Sequence, residues 1–100
     1  MTISKTEPRR LENWTIRQGR LVGQVFGDPN RPAGTWIETS PITQLDGNEV
    51  QTRNSRYSLG NSDPAFLLAL QLAKVSPEAA LDRVAFDNSL ARLRDTDQFG

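Results

Sequence analysis

The tetrapeptide Asn61-Ser62-Asp63-Pro64 divides the sequence into two parts that cannot share one kind of secondary structure. Upstream, from Leu11 to Gly60, short stretches of alternating apolar residues are broken by Gly, Pro, Asn and Asp, which is the pattern of strands and turns. Downstream, Pro64 and Pro77 each open an apolar-rich run behind a serine or aspartate, which is the pattern of helix starts. A chain of 100 residues has room for one domain. The order of the two parts predicts a segregated α+β fold. Its β part is a small antiparallel sheet of five to six twisted strands, or a partly open barrel, and a C-terminal helical hairpin follows. Residues 1–10 are expected to be a flexible arm, residues 11–60 the β part and residues 61–95 the helical hairpin, all one domain.

Within the β part, Leu11–Arg17 and Leu21–Phe26 flank Gln18-Gly19 and predict a hairpin. Gly23 suggests a bulge or tight bend in the second of these strands. Gly27–Gly34 holds two prolines and two glycines and must be a loop with a tight turn. Thr35–Ser40 reads as a strand that Pro41 limits, and Ile42–Leu45 leads into the turn signal Asp46-Gly47-Asn48. Glu49–Arg53 returns with Val50 and Thr52 on one face, and Tyr57 and Leu59 continue the alternation to Gly60. The helices are expected over Pro64–Lys74 and from Pro77 to about residue 94.

Composition removes several classes of chemistry. There is no cysteine and no histidine, so disulfides, thiolate metal sites and the commonest general base are absent. Only two lysines occur, Lys5 and Lys74. Glu78 and Asp82 share a helix face, but a lone pair of this kind reads as solvated surface. The expectation is a protein without catalytic residues, metal or cofactor. Cations and anions balance at twelve each, so no overall field draws the chain to nucleic acid or an anionic membrane. No apolar run approaches the ~20 residues of a membrane helix, and MTISKTEPRR lacks an apolar signal core. With no cysteine, a cytoplasmic location is expected.

Three features bear on binding. Between Ala65 and Val75 only Gln71 and Lys74 are not apolar, more than one buried stripe requires. Either the second helix covers the far side, or Phe66 and Leu70 reach another chain, with a homodimer through helix 64–74 as one form. The Gly27–Gly34 loop lacks the glycine spacing and lysine of a phosphate cradle. It is either a connector stiffened by proline or a recognition loop, with Arg31 and Trp36 as anchors. On the strand after it, Trp36 and Ile37 face opposite ways, so one of them must leave the core side. Third, Arg17 and Arg20 flank one turn while Arg53 and Arg56 flank another. Were those turns at one end of a barrel, the four could bind phosphate with Tyr57 stacking on a base. Ten of the twelve cations are arginine, the residue suited to such contacts.

The block W-x-I-x-x-x-x-L-x-G-x-V-F-G-D-P from Trp14 to Pro29 continues as G-T-W-I-E-T-S-P-I over Gly34–Ile42 and S-R-Y-S-L-G over Ser55–Gly60. This cadence resembles a group of small uncharacterised bacterial and phage-borne proteins. The resemblance covers residues 14–60 and brings no catalytic residues with it. It implies a mobile-element setting, in which compact proteins act by binding other macromolecules, including as inhibitors of bacterial defence complexes (anti-CRISPR-like). The leading expectation is a non-enzymatic protein-binding module that engages another protein or protein complex. A nucleic-acid-binding small barrel and a self-assembling structural subunit are the alternatives.

Overall fold

The computed structural model describes residues 9–97. Five strands, β1 (Arg9–Arg17), β2 (Arg20–Phe26), β3 (Thr35–Asp46), β4 (Glu49–Thr52) and β5 (Arg56–Leu59), precede two helices, α1 (Pro64–Ala73) and α2 (Pro77–Asp97). Consecutive strands pair antiparallel, and β5 returns beside β1 in parallel, so the strands form a closed ring. The ring is irregular, because the β1–β5 seam is short and three of the antiparallel ladders change register. Most of the expected flexible arm, residues 1–8, lies outside the described residues, but Arg9 and Arg10 belong to β1.

The register shifts follow from residues that permit them. Gln18 and Gly19 take positive φ (53° and 78°), the conformation a tight two-residue hairpin needs. Asn13 is also left-handed, at φ 53°, and marks an extra residue in β1 between the pairs Glu12–Gln24 and Thr15–Val22. Asparagine tolerates this conformation better than most residues. The insertion resets the alternation, so that Leu11 and Trp14, three apart, are both buried. The bulge therefore lies in β1 and not at Gly23. Gly23 sits opposite, where a Cβ would lie 3.1 Å from the Glu12 carbonyl oxygen and 3.2 Å from the Trp14 Cα. Its missing side chain is what lets the bulged strand approach.

Pro41 does not separate two strands, as its sequence position suggested. β3 runs through it, pairing first with β2 and then with β4. The extra residue at Thr39-Ser40 deprives Leu21 N–H of a regular ladder partner, and the buried Thr39 hydroxyl accepts it at 3.0 Å. A buried donor left unpaired there would cost ~1–3 kcal/mol.

The core gathers Leu11, Trp14, Leu21, Val25, Ile42, Val50 and Tyr57 from the ring with Leu81 and Ala85 from α2. α2 packs chiefly along β3. Asn88 fixes it there, donating from Nδ2 to the carbonyls of Gly19 at 3.1 Å and Ile42 at 2.7 Å. Leu93, toward the end of α2, is exposed.

α1 begins as its sequence requires. Pro64 opens it and the Asp63 carboxylate accepts Phe66 N–H at 3.1 Å. Lys74, expected to be helical, is left-handed (φ 61°) and ends the helix. The two helices adjoin in sequence but have little direct contact, so they do not form a packed hairpin. α1 is held through Phe66, whose ring lies 5.7 Å from that of Trp14, and through the buried Leu70.

Candidate functional site

Which side of α1 faces inward is decided by Asp63, Phe66, Leu67 and Leu70, all at least partly buried. That spacing is one helix face. Phe66 and Leu70, the expected anchors for another chain, are thus turned into their own molecule. The opposite face carries Leu68 at 55% exposure and Leu72 at 76%, with Val75 just beyond the helix. The second helix does not cover it. Leu68 and Leu72 stand at i and i+4 on α1, and no charged side chain occurs between Pro64 and Ala73. A helical wheel does not single out this face, because α1 is apolar on nearly every side. The sequence alone does not give the Trp14–Phe66 contact that confirms the phase.

Trp36 and Ile37 divide as the alternation of β3 demands. Ile37 packs against the core, and Trp36 stands 59% exposed, paired across the ladder with Gln24. Arg31, its expected companion, is engaged elsewhere. Its guanidinium donates to Asp28 Oδ2 at 2.7 Å, while Asp28 Oδ1 accepts Asn30 N–H at 2.9 Å. Arg9 Nε approaches the same Oδ2 at 3.5 Å, leaving the Asp28 side chain only 1% exposed. The Asn30 N–H and the Arg31 hydrogen bond hold the Asp28 carboxyl below its ordinary value, local burial opposes them, and the charges of Arg9 and Arg31 add to the lowering. The Gly27–Gly34 segment is therefore a loop closed on an internal carboxylate, further tied by Gly34 N–H to the Val25 carbonyl at 2.8 Å.

The expected basic group is only partly assembled. Arg17 and Arg20 are direct cross-strand partners beside the first turn, and Arg20 is opposite Pro41. The Pro41 carbonyl accepts Arg53 N–H at 3.0 Å, which brings Arg53 to the same end. Arg56 is not part of this group. It pairs with Glu49 at 3.7 Å and lines a small recess with Gln44, Asp46, Glu49 and Gln51. Tyr57 is buried, at 6% exposure, and has no face for a base.

Among the described residues, clefts lie at two places where α2 meets the ring. One, about 260 Å³, has Trp14, Leu59 and Leu81 in its lining and Asn48, Asn61, Ser62 and Glu78 among its polar residues. The other, about 280 Å³, lies between the β3 bend and α2 and is lined by Arg53, Arg92, Thr43, Asn88, Ser89 and neighbouring Pro41 and Ala91. Among the described residues no group of three or more acidic, histidine or cysteine side chains is placed to hold a metal ion. No described helix is long and apolar enough to cross a membrane.

Comparison of the chain with protein-family models, curated proteins and solved structures finds no match.

Proposed function

We propose that this chain is a non-enzymatic protein-binding module that seats the outer face of α1 in an uncharged apolar groove of another protein. The observation that carries this reading is the exposure of Leu68 and Leu72 on a helix whose other face is already packed on its own ring, with exposed Val75 just past its end. Apolar residues at i and i+4 on one helix face are anchors of helix-in-groove recognition. Because α1 carries no charge from Pro64 to Ala73, a charged cleft would lose hydration without gaining a pair, whereas an apolar groove matches it. Trp36 is a second exposed aromatic available to a partner. The non-catalytic part of the reading is supported by the lack of histidine and cysteine. It is also supported by Asp28, whose lowered pKa has a structural cause in its arginine clamp. Action as an inhibitor of a bacterial defence complex is the finer form of the proposal and rests on the sequence cadence alone.

The test places a photo-crosslinking residue at Leu72, and separately at the inward-facing Leu67, in the chain expressed in its natural host. The expected result is one stoichiometric, nuclease-resistant protein crosslinked from position 72 and not from 67. Leu72→Glu should weaken its binding by tenfold or more, the scale of a true anchor (~1.4 kcal/mol or above), with an unchanged melting temperature. Crosslinks only to a second copy of this chain would replace the reading with self-assembly. An affinity indifferent to Leu72→Glu would overturn it.

A further inference from the structure

Eight of the ten arginines fall into two sets. Arg9, Arg10, Arg31, Arg56 and Arg83 each stand within 4 Å of a carboxylate. Among the described residues no carboxylate stands that close to Arg17, Arg20 or Arg53, and all three are exposed. Arg20 spends one N–H on the Thr39 carbonyl, at 3.4 Å, which leaves most of its guanidinium donors outward. Random placement of balanced charge would not be expected to segregate the unpaired members. Yet the fold gathers them at one end of the ring, Arg17 opposite Arg20, Arg20 opposite Pro41, and Arg53 bonded through its backbone to Pro41. Like charges directly opposite across a hairpin oppose folding. The cleft beside Arg53 adds the polar side chains of Thr43, Asn88 and Ser89.

We propose that this end of the ring, through Arg17, Arg20 and Arg53, binds the phosphate backbone of double-stranded nucleic acid. Three exposed arginines on neighbouring segments of the ring suit successive phosphates rather than a closed pocket for one anion. The cleft, at about 280 Å³, is at the small end for a site that engulfs a whole nucleotide. Duplex is favoured over single strand because no aromatic residue is paired beside Arg17 or Arg20 in the ladders, where it could stack on an unpaired base. Tyr57 is in the core, and Trp36 lies well back along β3, opposite Gln24. The contact carries no base readout and is independent of the α1 surface, so the two proposals fail separately.

The experiment titrates the full chain against a fluorescent 20-base-pair duplex of arbitrary sequence, by anisotropy, at 50 and 200 mM salt. With about three phosphates neutralised, affinity should fall roughly 40-fold over that range. Arg17→Gln with Arg53→Gln should weaken binding at least tenfold at low salt and reduce the salt effect to about fourfold. The same pair should leave the melting temperature equal or higher, because mutual repulsion is relieved. Arg83→Gln, which removes a cation paired to Asp87 elsewhere, should leave binding unchanged. No binding at 50 mM salt would overturn the proposal, as would binding that ignores the double substitution. Tighter binding of a single-stranded oligonucleotide would overturn the duplex assignment. Displacement of the duplex by equimolar inorganic phosphate would show a single-anion pocket and overturn the row of contacts.

Discussion

The indole of Trp14 and the ring of Phe66 meet at 5.7 Å, tilted by 60°, and this contact joins α1 to the ring of strands. Trp14 also donates from Nε1 to the Gly60 carbonyl at 3.0 Å, so one side chain of β1 holds both the helix and the segment that leads into it. Phe66→Ala removes an aromatic partner from a partly buried site. A loss of about 2–3 kcal/mol is expected, below the range for a fully buried phenylalanine. Denaturant titration followed by Trp14 fluorescence checks it, with the further expectation that α1 amides exchange faster than those of β1.

Gly60 lies directly beneath the Glu12 carboxylate, so a Cβ there would collide with it. Glu12 Oε1 accepts Asn61 N–H at 2.9 Å, and Oε2 accepts Arg10 Nε at 2.7 Å. Gly60→Ala should displace this carboxylate and cost about 1–3 kcal/mol. Adding Glu12→Ala should recover part of that loss, because the obstruction is gone. A double-mutant cycle with a coupling term near zero would contradict this account.

Asn88 is the polar fastener of α2. Asn88→Ala leaves the Ile42 carbonyl without the 2.7 Å donor it now has, and the expected cost is about 1–3 kcal/mol. Asn88→Asp should cost more, since it sets a carboxylate against two carbonyl oxygens and beside Gly19. Urea midpoints of the two variants, compared with the parent, decide the order.

Asp28 predicts how the loop responds to acid. Its folded pKa is lowered below the ordinary 3.8, so its contribution is fully present above the unfolded value and is lost as pH falls through the folded one. The stability difference between the parent and Asp28→Asn should therefore be constant from about pH 5 to 8 and shrink below about pH 4. A difference that persists unchanged at about pH 2 would show that the loop is held by something other than this carboxylate.

The division into strands and helices was legible because Pro64, Pro77, Asp63 and the Asp46-Gly47-Asn48 turn each act locally, on residues a few positions away. What was hidden depends on partners far along the chain. Asn13 looks ordinary until Gly23 stands opposite it, and Pro41 reads as a terminator unless β4 takes over the pairing that β2 gives up. The inward face of α1 is set by Trp14, and the surface therefore moves from Phe66 and Leu70 to Leu68 and Leu72. Arg56 could not be separated from Arg17, Arg20 and Arg53 without knowing that Glu49 is beside it.

The parallel seam sets the order in which the chain can fold. The β1–β2 and β3–β4 hairpins join residues that are near in sequence, so each closes quickly and at small entropic cost. Arg9, Arg10 and Leu11 instead wait for Tyr57, Ser58 and Leu59, about half the chain away, and that pairing is only three residues long. Such a seam gains little until the rest of the core is in place, so it should close last. Trp14 meets Gly60 and Ser62 at the end of the same seam, so α1 docks as the ring closes. Until then the chain is an open meander with both outer strands unpaired, and the interval before β5 arrives is when it is most exposed to aggregation.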